Sequence, residues 1–167
     1  MEQRTGARAP LGTATGAAVL VLLAAACGTG QDAETARETP DTPGVDGSVG
    51  QVALSDVYLD ADATIAAGDS VALRGALTND GDTDDRLVSV STPAAGSVTL
   101  LDEQGDSSPD GIDLPADGSV DATRGQVRMQ LDDVTADITT TDTVQVTFAF
   151  QEAGQVQLDV PVGTAGS

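Results

Sequence analysis

The sequence predicts an all-β protein with a two-sheet Greek-key sandwich fold, and two observations carry that prediction. From Gln51 onward, short apolar segments are separated by turn residues about every 8–12 positions, as in sandwiches and barrels. Near the C-terminus, three segments alternate strictly between apolar and polar residues, which is typical of half-buried antiparallel strands. No segment keeps a helical period over a length that would predict a helix.

The pattern predicts eight strands within residues 51–163. They are Val52–Leu59, Ser70–Leu77, Arg86–Thr92, Ser97–Leu101, Ile112–Leu114, Gln126–Leu131, Thr143–Phe150 and Gln155–Val162. In the segment 126–131, Val127, Met129 and Leu131 fall on the face that would be buried, while Arg128 and Gln130 fall on the opposite face. The few aromatic residues, two Phe and one Tyr, imply a core built mainly from Val, Leu, Ile and Ala.

Two segments between the strands are rich in turn residues. Asn79–Asp85 predicts a turn, because Asn, Asp and Gly tolerate the left-handed backbone of tight reversals. It does not match the Asp-x-Asp-x-Asp-Gly pattern of a calcium-binding EF-hand loop, and it lacks the closing Glu. Asp102–Gly118 predicts a loop that contains the short strand at Ile112–Leu114.

The N-terminus has the order of a secretory signal, with Arg4 and Arg8 followed by an apolar run that ends in small residues. Leu23-Ala24-Ala25-Ala26-Cys27 is similar to a bacterial lipobox, in which the cysteine becomes the acylated N-terminus. A transmembrane anchor is the alternative, but the run of 11 residues from 16 to 26 is shorter than the roughly 20 that a membrane span needs. An incidental free thiol at Cys27 would be unusual in an exported chain.

These features divide the chain into four parts. Residues 1–26 are predicted to be a lipoprotein signal peptide, and residues 27–50 a disordered tether, because few large apolar groups are present to offset the entropy of ordering. Residues 51–163 are predicted to be the β-sandwich domain and residues 164–167 a short tail. The predicted location is the extracytoplasmic face of the membrane, with the membrane itself as a partner through lipidated Cys27.

The charge of the chain is strongly acidic. The sequence has 27 acidic and 7 basic residues, a formal charge of −20, and loss of Glu2, Arg4 and Arg8 with the signal peptide would leave −21. This charge repels nucleic acid, so nucleic acid is not an expected partner. Self-repulsion favours a monomer, and the protein partner is not identified by the sequence.

The residue inventory disfavours catalysis. The chain has no histidine, and its one cysteine is the predicted lipidation site, so histidine-dependent triads and His- or Cys-based zinc sites are not available. The pairs Asp84-Asp85 and Asp132-Asp133 are expected to be solvated surface carboxylates rather than acid–base pairs. We therefore expect a protein that is not an enzyme and has no resident cofactor.

Several segments together resemble the PCu(A)C family of extracytoplasmic copper chaperones. They are Leu77-Thr-Asn79-Asp-Gly81-Asp-Thr-Asp-Asp85-Arg-Leu87-Val88-Ser-Val90, Ala94 and Ala95 before Val98-Thr-Leu100, Asp142-Thr-Val144-Gln-Val-Thr-Phe148, and Ala153-Gly154 before Val160-Pro161-Val162. The resemblance covers roughly residues 52–162 and extends to actinobacterial lipoproteins that carry this domain behind a lipobox. It implies a cupredoxin-like or immunoglobulin-like Greek-key sandwich.

The resemblance also implies where copper ligands would lie. The family binds Cu(I) through a histidine, a downstream methionine and a late His-x-Met pair, and these histidine and pair positions fall here on Leu101, Arg128 and Gln130. The loop 102–118 contains no methionine. Shifting the register by one residue makes Val127 and Met129 the pair, with Met129 the single candidate ligand, although we interpret it as a core residue.

Two functions follow as hypotheses. The first is a lipid-anchored binding or accessory module that has lost its Cu(I) ligands and binds no copper. The alternative is a metal chaperone that uses divergent or partner-supplied ligands, for which the oxygen donors of Asp80, Asp82 and Asp84 are candidates. A third class, a structural envelope protein, would need stable self-association.

Overall fold

The alternating segments of the sequence form strands of a β-sandwich in a computed structural model that describes residues 44–123, 125 and 127–164. Every regular element of these residues is a strand. In chain order they are β1 (Val45–Val49), β2 (Val52–Asp60), β3 (Val71–Asn79), β4 (Asp85–Ser91), β5 (Ala95–Leu101), β6 (Ile112–Leu114), β7 (Gly118–Asp121), β8 (Arg128–Val134), β9 (Thr143–Phe150) and β10 (Gln155–Gly163).

The strands form two layers that are joined along one edge. The first layer has the order β5-β8-β3-β2, with β1 added to β2 and β7 added to β3, and the second has the order β6-β4-β9-β10. All pairings are antiparallel except a short parallel one, in which Val162 and Gly163 of β10 pair with Leu59 and Asp60 of β2. The predicted all-β, cupredoxin- or immunoglobulin-like Greek-key sandwich is confirmed.

The core lies between the two layers and follows the period-two pattern of the sequence. On β9 the apolar residues Val144, Val146, Phe148 and Phe150 are all buried, and Phe148 is the largest side chain that is fully buried. Burial of each such side chain contributes about 1.5–3 kcal/mol relative to an exposed position. The rest of the core is aliphatic, apart from Tyr58, as the composition predicts.

Two strands were not predicted. β1 lies inside the segment 27–50 assigned to a disordered tether, so that assignment is wrong for Val45–Val49, and the domain begins before Gln51. Gly47 in the middle of this segment weakens the strand pattern in the sequence. The strand is stabilised by its pairing with β2 and by the close packing of Gly47 on Leu158. β7 has a single large apolar residue, Val120, and forms by pairing with β3.

Two β-bulges shape the sheets. In β2 the register shifts between Ser55 and Tyr58, and Asp56 adopts a positive φ of 52° while its N–H donates to the carboxylate of Asp46 at 2.9 Å. In β4 the register with β9 shifts between Leu87 and Ser89, so Val88 is the extra residue. A bulge bends its strand and often ends a pairing, and β6 pairs with β4 only up to Leu87.

Candidate functional site

The positions that the resemblance assigns to copper ligands lie together at the paired ends of β5 and β8. Leu101 is the direct cross-strand partner of Arg128, and Thr99 is the partner of Gln130. Directly paired residues of antiparallel strands share a face, with Cβ atoms about 4.5–5.5 Å apart. Leu101, Arg128 and Gln130 therefore form one contiguous patch on the outer face of the first layer, next to the loop that begins at Asp102.

The side chains of this patch are an alkyl group, a guanidinium and an amide. Leu101 is half-buried, and Arg128 is exposed. The guanidinium of Arg128 lies against Gly105, where a Cβ would collide with it. Gly105 has a φ of 85°, a conformation that glycine adopts without strain. The side-chain amide of Gln130 donates to Asp132 at 2.7 Å.

The alternative register places its pair on the inner side of the sheet. Val127 is 7% exposed, and Met129 is 1% exposed within the hydrophobic core. Met129 pairs with Leu100, which is also buried. The thioether of Met129 fills space between the layers, as the periodicity predicts.

The loop after β5 is held by its own first residue. The carboxylate of Asp102 accepts the N–H groups of Gln104 at 3.0 Å and Asp106 at 2.9 Å. The N–H of Asp102 in turn donates to the carbonyl of Asp106 at 2.9 Å, and Ser108 donates to the carbonyl of Leu100 at 2.8 Å. The loop thus folds back along β5 and brings Gly105 to Arg128.

The donor set of the patch does not fit Cu(I). Soft thioether, thiolate and imidazole groups select Cu(I), whereas an amide and a guanidinium do not. Among residues 44–123, 125 and 127–164, no three His, Cys, Asp or Glu side chains are grouped so that they could hold a metal ion. The oxygen donors Asp80, Asp82 and Asp84 are all exposed, and Asp84 accepts the N–H of Ala116 at 2.9 Å.

Asp132 is a hydrogen-bond centre beside the patch. Its carboxylate accepts the Thr99 hydroxyl at 2.6 Å, the Gln130 amide at 2.7 Å and the Ser70 hydroxyl at 3.0 Å. The hydrogen bonds from Thr99 and Gln130 hold the pKa of Asp132 below its usual value against the opposing effect of burial. Its neighbour Asp133 has a positive φ of 58° and is exposed, so the two carboxylates do not form an acid–base pair.

Asp85 is a buried structural carboxylate, which corrects the expectation that it would be solvated. It is 8% exposed, and it accepts the N–H groups of Arg86 at 2.7 Å, Glu152 at 2.9 Å and Ala153 at 2.9 Å. Burial alone would raise the pKa of Asp85, but these backbone hydrogen bonds outweigh it and lower the pKa. The pattern in sequence did not reveal this role, because two of the donors come from the distant β9–β10 turn.

Asn79 holds the predicted turn at 79–85. Its amide is 2% exposed and donates to the carbonyls of Thr83 at 2.8 Å and Leu114 at 3.1 Å, while its carbonyl oxygen accepts the N–H of Gly81 at 3.0 Å. Every polar atom of the side chain thus has a partner, as burial requires. The turn prediction is confirmed, and the Asn79 amide joins the turn to β6.

The lipidation site Cys27 lies outside the described residues. So do the predicted signal peptide, most of the predicted tether and the last three residues of the tail. Within the part of the chain that is described, no helix has the length and apolarity needed to cross a membrane.

Comparison with known families identifies the chain. Residues 52–162, about two thirds of the sequence, match the LpqE-like family, whose description is "Putative lipoprotein LpqE-like". The chain belongs to the LpqE-like family. A comparison with curated protein sequences gives no match.

The LpqE-like chain shares its fold with solved PCuAC domains. The copper-bound PCuAC domain from PmoF2 is 23% identical, covers 72% of this chain and 98% of its own, and has a TM-score of 0.63. The apo PCuAC domain from PmoF1 is 22% identical, covers 72% of this chain and 99% of its own, and has a TM-score of 0.64. These comparisons confirm the PCu(A)C resemblance as a likeness of fold.

Proposed function

We propose that this LpqE-like protein is a lipid-anchored, extracytoplasmic binding or accessory module, not an enzyme, with a PCuAC-type domain that no longer binds Cu(I). The single observation that carries the proposal is the cross-strand pair of Leu101 with Arg128. At the positions where the resemblance implies imidazole ligands, this pair offers an alkyl group and a cation. A guanidinium stays protonated in proteins, so it repels a metal cation instead of binding it.

The membrane anchor rests on the family and on the sequence around Cys27. The description of the LpqE-like family, "Putative lipoprotein LpqE-like", supports the anchor, and the apolar run before Cys27 is too short to span a bilayer. Acyl chains on one cysteine would supply stable attachment, at about 0.8 kcal/mol per buried CH2. The chain would then present its acidic domain outside the cytoplasm.

A Cu(I) titration tests the loss of ligands. The chain of residues 27–167, carrying Cys27→Ser to remove the thiol, is titrated anaerobically against a competing chromophoric chelator. We expect no competition. Stoichiometric uptake would overturn the ligand-free module in favour of a chaperone with divergent ligands, and uptake abolished by joint replacement of Asp80, Asp82 and Asp84 with Asn would assign those ligands.

The anchor has its own test. In a bacterium that processes lipoproteins, the full chain should partition with membranes and carry an acylated N-terminal Cys27 in mass spectrometry. The Cys27→Ser variant should lose that modification and the membrane attachment that depends on it. An unmodified Cys27 in the membrane fraction would contradict lipid anchoring.

A further inference from the structure

The longest uncharged segment of the mature chain covers most of β4 and all of β5. From residue 87 to residue 101 the sequence has no charged side chain, whereas Arg86 and Asp102 flank it directly. No other run between residue 27 and the C-terminus is as long. In a chain with 27 acidic residues, such a segment marks a surface of different character.

Both strands of this segment have one unpaired edge among the described residues. β4 pairs with β9 on one side, but on the other side β6 reaches only to Leu87, which leaves 88–91 without a partner strand. β5 pairs with β8 on one side, and its other edge meets only Ser107 and Ser108 near Leu100 and Leu101. An unpaired edge presents N–H and C=O groups that can pair with another chain.

The other strand edges of the domain are protected in the usual way. β1, β6 and β7 are short, and each carries an aspartate, namely Asp46, Asp113 and Asp121. Charges and short length discourage pairing with other chains. The unpaired part of β4, residues 88–91, and the whole of β5 have neither a charge nor a proline.

The two unprotected edges face one groove. Its volume is about 280 Å³, and its lining mixes the apolar residues Val88, Val98 and Pro109 with the hydroxyl-bearing residues Ser89, Thr99 and Ser107, while Val90 and Leu100 in the same walls are buried. Val88, the extra residue of the β4 bulge, is 45% exposed and is the large apolar side chain that stands out to solvent among the described residues. The bulge therefore does two things at one point: it ends the pairing with β6 and it turns a valine outward.

The rim of the groove is acidic. Asp106 and Asp110 flank the wall formed by Ser107–Pro109, and both are exposed. Asp132 accepts the hydroxyl of Thr99, which also lines the groove. The occupant that fits is therefore uncharged in its middle and positive at its ends. The net negative charge of the whole protein would also speed the association of such a segment.

We propose that the groove between β4 and β5 binds an extended segment of a partner protein, one with small β-branched residues in its centre and lysine or arginine at its ends. The segment adds a strand to a free edge, which is a common mode of peptide recognition. Its apolar side chains enter the groove, and its cationic ends meet Asp106 and Asp110. A second copy of this chain fits poorly because both copies are strongly acidic. The inference rests on the proposed role as a protein-binding module and names its surface.

A defined peptide tests the surface. The probe is a capped synthetic peptide of alternating threonine and valine with a lysine at each end, and the control replaces each threonine with proline at the same charge. Heteronuclear NMR is recorded on residues 27–167 carrying Cys27→Ser. We expect the probe, but not the control, to shift the amide signals of residues 88–91 and 95–99 and to slow their hydrogen exchange.

Three results would overturn the proposal. Equal shifts with the proline control would mean that charge alone drives binding, and shifts centred on β1, β6 or β7 would locate pairing elsewhere. Edge amides that are already protected without the probe would mean that a segment of this chain occupies the groove. If the protein sediments as a dimer and Val88→Lys makes it a monomer, the groove would be assigned to a second copy of this chain.

A matched pair of variants separates the effect of a change within the groove from the general effect of an added positive charge. Val88→Lys places a cation on the groove, and Gln145→Lys adds the same charge at an exposed position of β9 in the same layer. We expect Val88→Lys to weaken binding of the probe peptide about tenfold, as for a central contact residue. Gln145→Lys should change the affinity for the probe by less than about twofold. Equal affinity of the two variants would overturn the proposal. Cu(I) uptake by the same protein would instead overturn only the ligand-free function, so the two failures are distinguishable.

Discussion

The carboxylate of Asp85 on β4 accepts the backbone N–H of Glu152 at 2.9 Å, from the turn between β9 and β10. A second oxygen of the same carboxylate accepts the N–H of Ala153 at 2.9 Å. One side chain thus fixes the turn that connects the two longest alternating segments of the sequence. Asn79 joins the neighbouring turn to β6 in the same manner, so two buried polar residues organise one end of the sandwich.

We expect Asp85→Ala to destabilise the domain by about 1.5–3 kcal/mol, because hydrogen bonds to a charged acceptor are lost and part-buried N–H groups remain without this partner. Urea denaturation measures the change in the free energy of unfolding. Asp82→Ala is the matched control, since Asp82 is exposed in the same segment, and its effect should stay within about 0.5 kcal/mol. Equal effects of the two variants would contradict the structural role of Asp85.

The same carboxylate predicts a pH dependence. The pKa of Asp85 in the folded protein lies below its ordinary value of 3.8, so its stabilising effect is complete above that value and is lost as the pH falls through the lower folded-state pKa. Acidification also relieves repulsion among the other carboxylates, which acts in the opposite direction. The informative quantity is therefore the difference in unfolding free energy between the parent and Asp85→Asn. It should be constant from pH 7 to about pH 5 and should shrink toward zero at lower pH; a difference that grows on acidification would be inconsistent with this.

The contact of Gly105 with Arg128 predicts energetic coupling. Gly105→Ala introduces a Cβ at a φ of 85° and into the guanidinium, and the backbone effect alone should cost about 1–2 kcal/mol. In an Arg128→Ala background the collision disappears, so the same substitution should cost less. A double-mutant cycle by thermal or urea unfolding measures the coupling, expected at about 0.5 kcal/mol or more. Strict additivity would show that the side chain of Arg128 does not lie on the loop.

Soft ligands introduced on the patch should create a copper-binding site. The triple variant Leu101→His, Arg128→His, Gln130→Met places two imidazoles and a thioether on adjacent positions of one face. We expect it to compete for Cu(I) with a chelator that the parent does not challenge, because these donors select Cu(I). Leu101→His alone is the control and should not compete.

A second variant decides between the two registers. The double variant Leu101→His, Val127→His uses the resident Met129 as the thioether ligand. Positions 127 and 129 are both buried, so this variant should lose stability without binding Cu(I). Binding by this variant and not by the triple variant would mean that the ligand positions are Val127 and Met129.

The sequence predicts the strands well where alternation is strict. Ile112–Leu114 and Thr143–Phe150 have the bounds that the pattern predicts, and Met129 points inward while Arg128 points outward. β1 and β7 were missed because each has few apolar residues and depends on a partner strand for its conformation. The contacts that Asp85 makes with the β9–β10 turn and that Asn79 makes with β6 were missed because the partners Glu152, Ala153 and Leu114 are distant in sequence. The uncharged run at 87–101 is visible in the sequence, but its two free edges depend on where β6 and β9 pair.

The parallel pairing of β10 with β2 has a consequence for how the chain reaches its folded state. Leu59 and Val162 lie far apart in the sequence, so this pairing cannot join the two layers until β10 has been synthesised. Such long-range closure makes folding slow and late relative to synthesis. β10 therefore closes the sandwich as a late step of folding, after the other nine strands of the described residues have already been synthesised.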